Sequence, residues 1–296
     1  MELDIIYWDH QYNLRLLANL SVVVAIFTSL RFFSGMIAHI DASEELFKKD
    51  NPAFGLSMAG TALAVTFMLI GSIYGDPEIS ILDGMMVIAF HGILGLGFMA
   101  ITRIIFDKVA LAAISLRDEI VKGNMAVSIA DTGNVLAAAI IIRAAMGWVP
   151  YTDSNPIFMM CGFFALSQVM LTVATLARIQ LFKARHEGFT VESELQKGNI
   201  AFALTFAGRL IGTALAIEMA SELVPYEDNS FPVMLVGWVL ASVIVILALK
   251  ALSMLAERVI LMNVNMSHEV LNQRNIAVGA VRAAVYISLG LLLAEL

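Results

Sequence analysis

The stretch Glu194-Leu-Gln-Lys-Gly-Asn-Ile-Ala201 decides the fold, because the chain of 296 residues contains it in four near-copies. Each copy holds an asparagine that is followed two residues later by alanine. The four asparagines, spaced 73, 75 and 76 residues apart, are Asn51, Asn124, Asn199 and Asn275. Self-similarity at a near-constant period indicates a repeat architecture in which each repeat is one supersecondary unit.

The composition is that of an integral membrane protein. Hydrophobic residues make up 59% of the chain, charged residues 15%, and the mean hydropathy is +0.83. Apolar runs of about 20 residues recur, each long enough to cross a hydrocarbon core roughly 30 Å thick. We predict eight spans, at roughly residues 14–40, 52–74, 84–112, 125–147, 157–182, 200–222, 233–262 and 276–294.

The spans and the motifs alternate in a way that predicts four helical hairpins in tandem. One span leads into each motif and the next span leaves it, so the fold class is an all-α polytopic membrane protein. Parallel repeats of this kind predict pseudo-symmetry about an axis along the membrane normal. Because each hairpin returns the chain to its starting side, all four motifs should face one compartment.

The distribution of lysine and arginine predicts which compartment that is. The tail 1–13 and the loops 74–83, 148–156 and 222–232 contain neither residue, whereas both are concentrated around the motifs. The positive-inside rule then places the motifs in the cytoplasm and both termini on the outer, periplasmic side of a bacterial inner membrane.

The four asparagines have two interpretations. Asn51 precedes a proline, and Asn124 and Asn199 follow a glycine, and each opens an apolar helix. This pattern is typical of helix N-caps at the cytoplasmic surface. The alternative is a polar ring at the mouth of a pore.

The motif and the small residues after it resemble the YjfL-like bacterial inner-membrane proteins, the domain of unknown function family 350. The best-matching stretches are Asn51-Pro-Ala-Phe-Gly-Leu-Ser-Met-Ala-Gly-Thr61 and Asn199-Ile-Ala-Phe-Ala-Leu-Thr-Phe-Ala-Gly208. One family unit resembles two hairpins, so the resemblance implies two fused units, 1–148 and 149–296. It also implies an association with envelope-stress gene neighbourhoods, and it supplies no catalytic residue.

Several ionisable or polar residues lie within the predicted spans, where such groups are costly and mark candidate functional sites. Counted from the motif asparagine, Asp131 and Arg282 share one depth, Asn134 and Arg209 a second, and Arg143 and Glu218 a third. The candidates are Asp131, Asn134, Arg143, Arg209, Glu218, Arg282 and His91. They form either ion-pair ties, with Asp131 bound to Arg209 or Arg282 and Glu218 bound to Arg143, or a polar path around the pseudo-symmetry axis.

Other function classes find little support in the sequence. There is no His-Glu-x-x-His, Gly-x-Ser-x-Gly or phosphate-binding loop, so we predict neither an enzyme nor a cofactor site. The single cysteine, Cys161, excludes an intrachain disulfide and a cysteine metal cluster. A net charge of −7 argues against nucleic-acid binding.

Two functions remain open. The first is translocation of an ion or small solute along the charged residues of the spans. The second is a non-catalytic scaffold or docking subunit of an envelope or membrane-stress complex. A continuous wet cavity reaching Asp131 and Arg209 would favour the first, and a sealed core with an exposed apolar lateral stripe would favour the second. The expected partners are the lipid bilayer and either a second copy of the chain or a cytoplasmic protein.

Overall fold

A computed structural model describes residues 10–38, 40–73, 80–149, 155–225 and 230–295, with side chains described at all of these except 31–38 and 71–73. Every regular element within these ranges is helical. Eight helices are long and apolar enough to cross a membrane, which confirms the predicted number of spans. They are α1 (His10–Ala38), α2 (Pro52–Ile73), α3 (Ile81–Ile105), α5 (Met125–Trp148), α6 (Pro156–Arg185), α8 (Ile200–Glu222), α9 (Phe231–Ile260) and α10 (Ile276–Ala294).

Two short helices, α4 (Leu116–Val121) and α7 (Val191–Gln196), lie in the motif turns of the second and third repeats. The predicted span 84–112 ends earlier than expected as an α-helix. A π-helical turn at Phe106–Ala110 follows α3, and the Asp107 carboxylate then accepts a hydrogen bond from the backbone N–H of Leu116 at 3.0 Å. The N-cap of α4 is Ser115, whose side chain accepts a hydrogen bond from the backbone N–H of Asp118.

Each motif turn closes in the same way. The backbone N–H of the motif asparagine donates to the carbonyl of the motif glutamate, at 2.9 to 3.1 Å in all four repeats. The residue just before the asparagine always has a positive φ: Asp50 (47°), Gly123 (86°), Gly198 (70°) and Arg274 (53°). The first and fourth turns contain one residue more than the others, and they accommodate it as π-helical turns at Glu44–Lys48 and His268–Asn272.

The spanning helices form two rows. In the first row, α2 packs on α5, α5 on α8, and α8 on α10, so that each helix leaving a motif contacts its counterpart in the next repeat. In the second row, α3, α6 and α9 cover the three grooves between them, and α1 packs on α3 and α2 at one end. In the most apolar 18-residue stretch of each helix, 78% of the residues of α5 and of α8 are therefore buried, against 28% in α10 at one end of the row.

The row is open, with α2 at one end and α10 at the other. Along such a row, each hairpin is placed beside the previous one. The predicted pseudo-symmetry about an axis along the membrane normal is not confirmed. Because α5 packs on α8, the row continues without a break across residue 148, the predicted boundary between the two units. The division into units 1–148 and 149–296 stays a prediction.

Small residues allow the helices of the first row to approach closely. A Cβ atom added at Gly133 would lie 2.5 Å from Cβ of Ala207, and one added at Gly208 would lie 2.5 Å from Cα of Ala283. Both glycines stand nine residues after a motif asparagine. In a bilayer, where no hydrophobic effect drives helices together, such close backbone packing is a main source of association.

Candidate functional site

The asparagine motif is a hydrogen-bonded turn in which one side chain makes three kinds of contact. The Asn199 side chain is fully buried, and its Oδ1 accepts a hydrogen bond from the backbone N–H of Phe202 at 3.0 Å. Its Nδ2 donates to the Glu194 carboxylate and to the backbone carbonyl of Val270, both at 2.9 Å. Asn51, Asn124 and Asn275 accept equivalent backbone hydrogen bonds, so the N-cap prediction is confirmed for all four.

The bond to Val270 is one of a series that joins each motif to the next. Asn51 Nδ2 donates to the carbonyl of Ile120 at 3.0 Å, and Asn124 Nδ2 donates to that of Leu195 at 3.0 Å. In every case the acceptor is the residue directly after the motif glutamate of the following repeat. The four motifs therefore lie side by side at one end of the molecule, here called the motif side. The alternative of a polar ring at a pore mouth gains no support from these contacts.

In the first two repeats a lysine lowers the pKa of the motif glutamate. The hydrogen bond from Lys49 Nζ to Glu45, 2.7 Å long, is the main cause that lowers the pKa of Glu45 below its usual range, and it also raises the pKa of Lys49. The pKa of Glu119 is lowered in the same way, first by Lys122 and then by the amide of Asn124. A carboxylate that is charged at neutral pH makes the stronger acceptor for the asparagine amide.

Within the spans, Asp131 is the centre of the most complete polar cluster. Its carboxylate, 1% exposed, accepts two hydrogen bonds from Arg103 of α3, at 2.9 Å from Nε and 2.7 Å from Nη2. Ser57 of α2 donates a third hydrogen bond at 2.5 Å. The predicted pairing of Asp131 with Arg209 or Arg282 is wrong, because this face of α5 is turned toward α2 and α3.

The predicted pair of Arg143 and Glu218 is confirmed. Arg143 of α5 donates to Glu218 Oε1 of α8, at 3.1 Å from Nε and 2.5 Å from Nη2. Both residues stand nineteen positions after their motif asparagine, so the pair joins equivalent depths of neighbouring repeats. It is a tie along the row, at the end opposite to the motif side.

The third cluster lies in the last two repeats. Arg282 pairs with Glu257 of α9, with both N···O distances 3.2 Å. Arg282 stands on α10, at the end of the row, which is why it does not reach Asp131. Arg209 packs its guanidinium over the Tyr286 ring, 5.5 Å from the ring centroid. Arg178 donates to the backbone carbonyl of Arg209 at 3.1 Å.

Among the ion pairs of the described residues, none includes Arg178 or Arg209, and Arg209 Nε is buried without a hydrogen-bond partner. The charged candidates of the predicted path thus separate into three clusters instead of converging. His91 is also remote from Asp131, since it precedes Arg103 by twelve residues, or about 18 Å along α3.

Sequence reasoning missed Arg103 and Glu257 as partners. A signal for both existed, because the residue seven positions after the motif asparagine is acidic in the second repeat (Asp131) and basic in the fourth (Arg282). The opposite charge stands on the preceding helix of the same hairpin, 21 and 18 residues before the asparagine. These two offsets differ by three residues, close to one helical turn. Pairing charges within each hairpin would have predicted both contacts.

Asn134 lines a small cavity between α3, α5 and α6. The cavity has a volume of about 10 Å³, close to what one water molecule needs. Asn134 Nδ2 and Gln168 Nε2 are both buried beside it without a hydrogen-bond partner. The described residues contain no group of three His, Cys, Asp or Glu that could hold a metal ion.

Comparison with known proteins places these features in a family context. A family model described as "Domain of Unknown Function (DUF350)" matches residues 8–146, 80–183 and 152–296. The "UPF0719 transmembrane protein" of Aquifex aeolicus (strain VF5) is 27% identical over 177 residues, which are 58% of this chain and 60% of the relative. The chain thus spans about 60% of the length of this curated relative. No solved structure matches the chain.

Proposed function

The chain belongs to the DUF350 family, and on that premise we propose that it is a non-catalytic scaffold or docking subunit of an envelope or membrane-stress complex. The observation that carries the proposal is the pairing of the intramembrane carboxylates. Asp131, Glu218 and Glu257 each bind an arginine of a neighbouring helix. Such pairs fix the register of helices, and a carboxylate held by two or three donors is poorly placed to bind a passing ion.

The packing supports the same proposal. Small residues of neighbouring helices are in direct contact along the first row, and the cavity beside Asn134, about 10 Å³ in volume, has room for about one water molecule. A translocation path would need a continuous series of such spaces across the membrane. A larger cavity of about 380 Å³ lies on the motif side, and Lys183, Glu192 and Gln196 are among the residues that line it. This cavity is the place where we expect a partner to dock.

In this proposal the protein lies in the bacterial cytoplasmic membrane with its motif side in the cytoplasm and both termini in the periplasm. The support is the concentration of lysine and arginine at the motif side. The docking cavity, which carries both a cation and an anion, then faces a cytoplasmic protein.

Ion flux through purified protein in liposomes tests the scaffold role. We expect the wild type to pass no more K⁺, Na⁺, H⁺, Cl⁻ or polyamine than empty liposomes do. Wild-type flux that is abolished by Arg209→Leu in a folded variant would contradict the proposal.

Co-purification with a protein cross-linker tests the docking role. The double variant Lys183→Glu/Glu192→Lys, which keeps the net charge, should lose the partner that the wild type retains. Lys108→Glu, on the same side but outside the cavity, should retain it. Equal retention by all three proteins would exclude this cavity as the docking site.

One observation favours a second candidate, the translocation of a small anion. Three nitrogen donors of the central spans are buried without a hydrogen-bond partner, namely Asn134 Nδ2, Gln168 Nε2 and Arg209 Nε, and so is one carboxylate oxygen, Glu218 Oε2. Donors and uncompensated arginines would favour an anion over a cation. In the same liposomes, Cl⁻ flux that falls in Asn134→Leu and Gln168→Leu would support this candidate over the scaffold, provided that it persists in Thr205→Val, whose hydroxyl already donates to the carbonyl of Ala201.

A further inference from the structure

The same contact recurs between each pair of successive helices in the first row, and the two helices of a pair use different faces for it. The leading face of each helix consists of the residues 2, 9 and 13 positions after its motif asparagine. The trailing face consists of the residues 4 and 8 positions after it. Leading Gly60 contacts trailing Thr132, Gly133 contacts Ala207, and Gly208 contacts Ala283. Nearer the motif side, Ser128 donates to the carbonyl of Ala53, and Gly279 packs on Ala201.

Because the two faces differ, the interface is heterologous, and a row built from it leaves one face free at each end. The leading faces of α2, α5 and α8 are buried at all nine positions: Ala53, Gly60, Ala64, Ala126, Gly133, Ala137, Ala201, Gly208 and Gly212. The same positions of α10 are Ala277, Ala284 and Ser288, and all three are exposed. The last helix thus presents a leading face that nothing in the described chain covers.

At the other end of the row, α2 presents a free trailing face. A Cβ atom added at Gly55 would meet only the Leu46 side chain, at 3.7 Å, whereas one added at the equivalent Gly279 would collide with the backbone of Ala201. Ala59 is exposed, although its counterparts in α8 and α10 are buried. Leu63 continues the same stripe with an exposed fraction of 56%.

The motif side shows the same incompleteness. Asn51, Asn124 and Asn199 each donate to the carbonyl that follows the next motif glutamate. Asn275 Nδ2 donates to Glu269 at 2.8 Å, and no such carbonyl follows it among the described residues. The matching acceptor in the first repeat is the carbonyl of Leu46, and the described residues before it contain no earlier copy of the motif.

We propose that a second copy of this chain completes the row, with the leading face of α10 in one copy packed on the trailing face of α2 in the next. Ala277 would then contact Gly55, Ala284 would contact Ala59, and Asn275 would donate to the carbonyl of Leu46. The occupant is a second copy because the chain builds this same interface three times internally. Since the interface is heterologous, the product is a closed ring or an open filament.

One residue departs from the internal pattern. Position nine is alanine (Ala284) in α10 and glycine in the three internal helices, so the backbones of two copies approach less closely there. Small-xxx-small packing tolerates alanine at such positions. The proposal concerns assembly, and it stands whether the protein is a scaffold or passes an anion.

Cysteine cross-linking in liposomes of phosphatidylethanolamine and phosphatidylglycerol tests the proposal in the full-length chain. In a Cys161→Ala background, the double variant Ala59→Cys/Ala284→Cys should give, on mild oxidation, a ladder of covalent multimers or a ring. The control Ala59→Cys/Leu255→Cys places the second thiol on exposed α9 at a similar depth, because Glu257 of α9 pairs with Arg282 of α10. It should remain monomeric.

A bulky residue on the free face gives a second readout. Ala277→Leu, added to the 59/284 pair, should lower the yield of multimers about tenfold by overpacking the contact. Ala251→Leu, also exposed but on α9, should leave the yield unchanged. Equal ladders in the two cysteine pairs, dimers from Ala284→Cys alone, or a folded 32.1 kDa monomer in nanodiscs would each overturn the proposal.

Discussion

Removing Arg103 should destabilise the protein more than removing Asp131, although the two residues form a single pair. The Asp131 carboxylate is 1% exposed, whereas the Arg103 side chain is 40% exposed. In Arg103→Met, the carboxylate stays buried with Ser57 as its remaining donor, and breaking a buried pair in this way costs about 3–5 kcal/mol. In Asp131→Leu, the arginine extends toward the membrane surface and loses less. The double variant Arg103→Met/Asp131→Leu should lie within about 1 kcal/mol of the wild type, because an apolar pair replaces the ion pair in apolar surroundings.

Unfolding by sodium dodecyl sulfate in mixed micelles, followed by helicity at pH 7, measures all four proteins of this cycle. Lys250→Met is the control, since it removes an exposed cation from the span of α9 outside any described ion pair. Additive effects of the two single substitutions would refute the pairing as a source of stability. A larger loss in Asp131→Leu than in Arg103→Met would refute the argument from burial.

Three further predictions concern the helix row and the motif. Gly208→Ala should destabilise the protein by about 1–3 kcal/mol, because the new Cβ would collide with the backbone of α10. Gly97→Ala, at an exposed position, should not destabilise it, and thermal unfolding in detergent compares the two variants. In monomeric protein, Asn199→Ala should cost about 1–3 kcal/mol more than Asn275→Ala, since only Asn199 bonds to a following repeat; equal losses in a detergent titration would contradict this. Lys122 lowers the pKa of Glu119, so the stability that the Glu119 carboxylate contributes to the protein is present above about pH 4.5 and is lost as the pH falls through the lowered pKa. A melting temperature measured from pH 7 to 3 should therefore fall more steeply for the wild type than for Glu119→Gln.

The sequence supported accurate predictions where a feature is local or where the repeat places two residues at equal depth. The N-caps follow from an asparagine at the start of an apolar helix, because the side chain bonds to backbone two or three residues away. The pair of Arg143 and Glu218 also followed, since equal depth in adjacent repeats places two opposite charges together. The pairing of Asp131 failed because depth along the membrane says nothing about which way a side chain points around its helix.

By itself the sequence determined eight spans, four hairpins and a shared side for the motifs, because chain length, hydropathy and a repeat of about 75 residues restrict a membrane chain to that arrangement. The tertiary structure decided that the repeats form an open row and that Arg103 and Glu257 hold the buried charges. It also decided that the leading face of α10 is left exposed. The physical reason is that helices in a bilayer pair where small residues, such as Gly133 and Ala207, let their backbones pack closely. That packing depends on the rotation of each helix about its own axis.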